Sequence, residues 1–215
     1  LLPGILFLGA AAYILLKRRS RPIQDHPFLA GDKPLVMAHR GGEGLWPPNT
    51  LYAFQKAVEM GVDILELDIH ASADGVLVVR HDDTVDRTTD GTGPVSDFTA
   101  SALEARDAAY RFEIAGDHPY RDQGHGVPTL EEVATEFQDC RLVVDLKQDG
   151  LAESLWELIR RLDMAERVIV GSFSDRRLAE FRDVTRGAVA TSAGPYTLDL
   201  RRARTYADSH DPRQL

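Results

Sequence analysis

The sequence predicts an α/β fold built on a mostly parallel sheet. Three observations carry that expectation. From Pro34 onward, short apolar runs alternate with helical segments, the pattern of repeated βαβ units. The apolar runs end repeatedly in ionisable residues, where parallel α/β folds place their sites. The chain has 215 residues, 43% hydrophobic and 27% charged, enough for one sizeable core.

The N-terminal stretch "LLPGILFLGAAAYILL", residues 1–16, has no charge, and "KRRSR" follows at once. Sixteen helical residues span about 24 Å, slightly short of a hydrocarbon core of about 30 Å. Positive charge after the apolar run fits a membrane anchor with its basic side cytoplasmic. A helix packed on the domain and a signal remnant are the other options. Residues 17–33 are polar and read as a linker, leaving 34–215 as the folded domain.

Within the domain, "LVMAH" (35–39) is the first expected strand. "TLYAFQKAVEMG" (50–61) reads as a helix, with Asn49 or Thr50 as N-cap and Gly61 as its stop. Strands follow at 63–70 and 76–82, joined by the turn "ADG". Residues 83–128 are irregular, with one short helix near 99–107. Helix 129–137, strand 141–147, helix 151–164, strand 167–173, helix 175–184 and strand 187–192 complete the alternation. Six strands leave two choices: an open doubly wound sheet, or an eight-stranded barrel lacking its last quarter.

Composition narrows the function. The formal net charge is −9 and the pI about 5.2, which argues against a nucleic-acid partner. The lone Cys140 excludes an intrachain disulfide framework and a cysteine-based zinc site.

The strand ends carry the chemistry. The first ends in His39 and Arg40. The second carries Glu66, Asp68 and His70 at alternate positions, so the three share a face. The third ends in His81 and Asp82, the fourth in Asp145 and Lys147. Glu66, Asp68 and Asp145 would be like charges facing inward, and a hard divalent cation resolves their repulsion. His39 and His81, expected on either side of the second strand, suit general acid and base work near neutral pH. Arg40 and Lys147 suit phosphate binding. Together these groups describe phosphodiester cleavage. The bland alternatives are a satisfied strand-end histidine, a solvated acidic face and an Asp145–Lys147 ion pair. His70 is assigned a structural role, and His118 and His125 a surface location.

The ordered motifs "AHRG" (38–41), "NTLYAF" (49–54), "ELD" (66–68), "HDDTVDRTTDGTG" (81–93), "VPTLEEV" (127–133), "DLK" (145–147) and "SF" (172–173) resemble the glycerophosphodiester phosphodiesterase family. The resemblance implies a (β/α)8 TIM-type barrel, incomplete here at its C-terminus, with residues 83–128 as an insertion. It implies a divalent cation, Ca²⁺ or Mg²⁺, and hydrolysis of glycerophosphodiesters to sn-glycerol 3-phosphate and an alcohol. Carried over by motif, His39 and His81 are the acid/base pair, Arg40 and Lys147 contact phosphate, and Glu66, Asp68 and Asp145 bind metal. Two residues depart from the family pattern: Pro48 stands where the family has Glu, and Asp145 replaces a Glu. The hydrophobic N-terminus resembles the membrane-bound branch, which implies a lipid-derived substrate met from the cytoplasmic side. The competing functions are cleavage of lysophospholipids and an inactive membrane-tethered binding module.

Overall fold

The computed structural model describes residues 26–31 and 34–195. The anchor expected over 1–16, most of the linker and the tail beyond residue 195 lie outside the described residues.

The sheet has six strands: β1 (Met37–Ala38), β2 (Ile64–Ala71), β3 (Leu77–Val79), β4 (Arg141–Leu146), β5 (Val168–Gly171) and β6 (Ala190–Thr191). Five of them run parallel in the order β1-β2-β4-β5-β6. That order follows the chain without reversal. A doubly wound sheet would reverse at a switch point, so the strands wind in one direction, as barrel staves do. The helices are α1 (Leu51–Glu59), α2 (Ala100–Glu104), α3 (Leu130–Glu136), α4 (Ala152–Arg161) and α5 (Asp175–Thr185).

β3 differs from the expected stave. It pairs antiparallel with the far end of β2, Ile69 opposite Val79 and Ala71 opposite Leu77. Ile69 also pairs with Leu146 of β4, so β3 lies on the other edge of β2, the edge that β1 occupies lower down. The physical reason is the tight turn through Gly75, which has φ +79°. A parallel return needs a crossover of a dozen residues or more.

Alternation along β2 separates the core from the site. Leu65, Leu67 and Ile69 join one large cluster with Phe54 of α1, Val133 of α3, Leu155 and Ile159 of α4 and Phe181 of α5. Glu66, Asp68 and His70 therefore point to the opposite, inner face. β4 repeats the pattern: Leu142, Val144 and Leu146 go to the helices, and Val143 and Asp145 go inward. The bottom of the inner face is closed by a small apolar layer of Ile64, Ile169, Ala190 and Val143. Phe28, from a short turn at Pro27–Leu29, plugs that layer at 1% exposure. Part of the stretch read as a linker is thus docked on the sheet, with Arg141 donating to the Ala30 carbonyl at 2.7 Å.

Local signals explain the helix starts. Thr50, not Asn49, caps α1 by accepting from the Ala53 amide. Thr129 and Glu132 form a reciprocal capping box on α3. The insertion packs its own small core, in which Val85, Val95, Leu103, Ala108 and Val127 cover Val78 of β3.

Candidate active site

The site lies on the inner face above the apolar layer. The β2–β4 register sets Asp68 directly beside Asp145, with Glu66 one inward step below Asp68. A ligand oxygen from each of the three lies within 4.8 Å of the others, and all three residues are buried. Burial raises the Glu66 pKa from 4.5 to about 7, and the charges of Asp68 and Asp145 push the same way. Asp145 Oδ1 is buried without a hydrogen-bond partner. Three buried oxygen donors, one made reluctant to ionise by burial and like charge and one left orphaned, fit a hard divalent cation.

Cations of the chain itself balance part of this charge. Lys147 Nζ sits 2.6 Å from Asp145 and 2.9 Å from Asp68. Burial works to lower the Lys147 pKa, but these two carboxylates outweigh it and raise it. Arg40 Nε lies 3.0 Å from Asp68 Oδ2, which also accepts from Asn49 Nδ2 at 2.9 Å. The backbone amide of Arg40 donates to Glu66 Oε2 at 2.8 Å.

A tight loop after β1 makes these contacts possible. Arg40 has φ +51° and Asn49 φ +59°, both left-handed, a conformation that Asn tolerates and that is strained for Arg. Asn49 donates its amide to the Arg40 carbonyl at 2.9 Å and closes the loop. Gly41 has φ +78°, and a Cβ there would meet Phe54 Cδ1 at 2.9 Å. The loop therefore folds flat onto α1 and turns Arg40 inward.

The two histidines approach from the same edge of β2, not from opposite sides as the sequence suggested, because β3 turns back along the edge of β1. His39 Nε2 is 3.9 Å from Glu66, and its Nδ1 is 3.2 Å from Glu43. His81 Nδ1 is 2.7 Å from Asp82 Oδ1. Burial works against ionisation of Asp82, yet Arg87 and His81 hold its pKa down at about 2. Arg40, Asn49, His81, Asp82, Arg87 and Thr88 line one cleft together with Pro48. The cleft runs on past Arg87 and Thr88 into a hollow bordered by Glu43 and, from the insertion, Arg111, Phe112 and Glu113.

The glycerophosphoryl diester phosphodiesterase family model matches residues 39–192. The chain belongs to that family. A glycerophosphodiester phosphodiesterase of Caldanaerobacter subterraneus is 40% identical over 159 residues, covering 70% of this chain and 62% of the relative. Human glycerophosphodiester phosphodiesterase 1 is 32% identical over 173 residues, covering 78% of this chain and 51% of the relative. Among solved structures, the phosphodiesterase domain of an uncharacterized Mycobacterium tuberculosis protein superposes with a TM-score of 0.71 at 30% identity, covering 84% of this chain and 66% of that one. An Oleispira antarctica phosphodiesterase solved with the product sn-glycerol-3-phosphate has a TM-score of 0.66 at 26% identity, covering 81% of this chain and 72% of that one. The chain spans about 60% of the length of the first curated relatives it matches. The family is a TIM-barrel family, and the parallel strands here are consecutive staves of such a barrel.

All seven residues singled out for this phosphodiesterase-family site gather at one place. Arg40 and Lys147 both contact Asp68, so each is shared between a carboxylate and any phosphate it would hold. Three further residues escaped sequence reasoning. Glu43 bridges His39 and Arg40, but it sits between glycines in a loop that carries no periodicity. Asn49 read as a cap, and its bond to Asp68 depends on a positive φ invisible in sequence. Arg80 is 4% exposed and gives its Nε to the Thr84 carbonyl and its Nη1 to Thr88, bracing the loop behind His81. His70 behaves as assigned: burial lowers its pKa, and its Nε2 meets the His81 carbonyl at 3.1 Å. His125 packs against Tyr52 in a tilted pair with ring centroids 4.8 Å apart and is partly covered, not a free surface residue.

Proposed function

We propose that the chain hydrolyses glycerophosphodiesters to sn-glycerol 3-phosphate and an alcohol, with His39 and His81 as the acid–base pair. The observation that carries this reading is the convergence of three buried carboxylates with His39, Arg40 and Lys147, beside a cleft that His81 lines together with Arg40. Family membership and the product complex of the Oleispira relative support it.

Glu66, Asp68 and Asp145 would hold a divalent cation, Ca²⁺ or Mg²⁺, which when bound supplies Lewis-acid stabilisation of charge on the phosphate oxygens. The chain's own groups do the rest. Arg40 and Lys147 hold the phosphodiester and neutralise its charge. One imidazole takes a proton from the attacking water as its oxygen bonds to phosphorus. The other gives a proton to the alcohol oxygen as the P–O bond breaks. Asn49 keeps Asp68 oriented through the change in charge.

A lipid substrate is the second reading. Its support is the exposure of Leu45 and Phe173, on loops after β1 and β5, together with the apolar run at residues 1–16. A membrane-anchored enzyme with a cytoplasmic catalytic domain would follow from the "KRRSR" cluster. Among the described residues no helix is long and apolar enough to cross a membrane. Assays on glycerophosphocholine and lysophosphatidylcholine, each with Mg²⁺ or Ca²⁺, decide the substrate. The reading expects sn-glycerol 3-phosphate from the first; turnover of the second alone selects the lipid alternative, and turnover of neither defeats both.

A further inference from the structure

We propose that Glu43 is a positioning residue that fixes the tautomer of His39 and the aim of Arg40. The proposal deepens the phosphodiesterase reading and rests on it for its effect on rate. The backbone sets the geometry. The amides of Gly42 and Glu43 both donate to the His39 carbonyl, at 2.9 and 3.0 Å, so residues 39–43 close one tight turn whose residues Arg40, Gly41 and Gly42 have positive φ. The turn brings residue 43 back beside residues 39 and 40. Glu43 is thereby stacked on Arg40 and His39 at once, and its two oxygens are divided between them. Oε2 lies 3.2 Å from His39 Nδ1, and Oε1 lies 2.9 Å from Arg40 Nη1.

A neutral imidazole carries one N–H. A carboxylate at Nδ1 favours the proton there and leaves Nε2 as a bare lone pair. For His39 that lone pair is on the nitrogen 3.9 Å from Glu66 Oε2, the one turned to the site. Asp82 stands at the same nitrogen of His81, there as a hydrogen bond of 2.7 Å, where Glu43 makes a looser charge contact with His39. Both imidazoles thus have Nδ1 turned to a carboxylate, but only the base needs a bare Nε2: His39 takes the water's proton there, and His81 gives the proton to the alcohol oxygen. The His39 side chain is 57% exposed, so packing does little to hold it. In water a neutral histidine favours the Nε2–H form, which would put a proton where the lone pair is needed. Arg40 is the second beneficiary. Its other carboxylate partner is Asp68, at Nε; Glu43 holds Nη1 and keeps the fork from collapsing onto that metal-site carboxylate.

An exposed ion pair contributes little to stability, so a structural role and a positioning role predict different results. The test uses the full chain loaded with Mg²⁺ or Ca²⁺ and the variants Glu43→Ala, Glu43→Asp, His39→Ala and the Glu43→Ala/His39→Ala double. Two quantities are read: kcat and KM on glycerophosphocholine, and the His39 tautomer from its imidazole ¹⁵N shifts. Glu43→Ala should lower kcat by about 10- to 100-fold, raise KM through Arg40, and move His39 toward the Nε2–H form. Its unfolding midpoint should stay near that of the wild type. Glu43→Asp should recover part of kcat, and in the His39→Ala background Glu43→Ala should cost no further kcat while still raising KM through Arg40. Three results overturn the proposal: an unchanged kcat, an unchanged tautomer, or the same loss of kcat with His39 absent. If the wild type turned over no glycerophosphodiester, the functional reading would fail by itself, and the tautomer shift would still decide the role of Glu43.

Discussion

Replacing Glu66 with Gln should make the metal-free protein more stable at neutral pH, although it damages the site. Glu66 is buried next to Asp68 and Asp145, and its pKa rises from 4.5 unfolded to about 7 folded. Between those two values the folded state binds the extra proton. Stability from this group is therefore fully present below pH 4.5 and is lost as pH rises through 7. At about 1.4 kcal/mol for each pH unit, the full loss is about 3 kcal/mol. Gln keeps the shape and a hydrogen-bond acceptor for the Arg40 amide, and it carries no charge to desolvate. The assay is urea unfolding of wild type and Glu66→Gln in EDTA, from pH 4.5 to 8.5. Taking the difference between the two proteins cancels the titrations of groups away from this site. That difference should rise in favour of the variant by about 3 kcal/mol across the range. Saturating Ca²⁺ or Mg²⁺ should reverse the order, because a ligand at about 1,000 times its Kd adds about 4.1 kcal/mol to the form that binds it. A pH-independent difference, or a variant less stable at pH 8 than metal-free wild type, would refute the claim that these carboxylates repel one another across an intended cation site.

Other perturbations separate chemistry from folding. His39→Ala and His81→Ala should each lower kcat by about 10²- to 10⁴-fold with little change in unfolding midpoint, as steady-state kinetics and thermal melts would show. Gly41→Ala should destabilise by about 1–3 kcal/mol, since φ +78° is strained for Ala and the new Cβ would press on Phe54 at 2.9 Å; denaturant unfolding measures it, and wild-type stability would exclude the strain. Phe54→Ala, at a fully buried position between α1 and the sheet, should cost about 3–5 kcal/mol in the same measurement.

Much of this site was legible because strand periodicity is a strong local signal. Alternation along "ILELDIHA" placed Glu66 and Asp68 on one face before any coordinates, and the β2–β4 register then paired Asp68 with Asp145. The reversal of β3 was not legible, because "VLVVRHD" has the composition of a barrel stave and only its short turn excludes a parallel return. The bridging role of Glu43 was hidden for a different reason. It arises from a tight turn in which Arg40 adopts positive φ, and no residue there announces that conformation. Phe28 illustrates a third limit: a single aromatic in a polar segment looks like linker until the layer it fills is formed.

The central claim is that Glu66, Asp68 and Asp145 hold the cation on which phosphodiester hydrolysis by His39 and His81 depends. Its most direct test is turnover of glycerophosphocholine by protein stripped with EDTA and then titrated with Mg²⁺ or Ca²⁺, beside Asp145→Asn treated the same way. The account predicts no sn-glycerol 3-phosphate from the stripped protein, saturable recovery in the wild type, and recovery in Asp145→Asn that is absent or needs far more metal. Full turnover by the stripped protein, or equal recovery in the two, would contradict it.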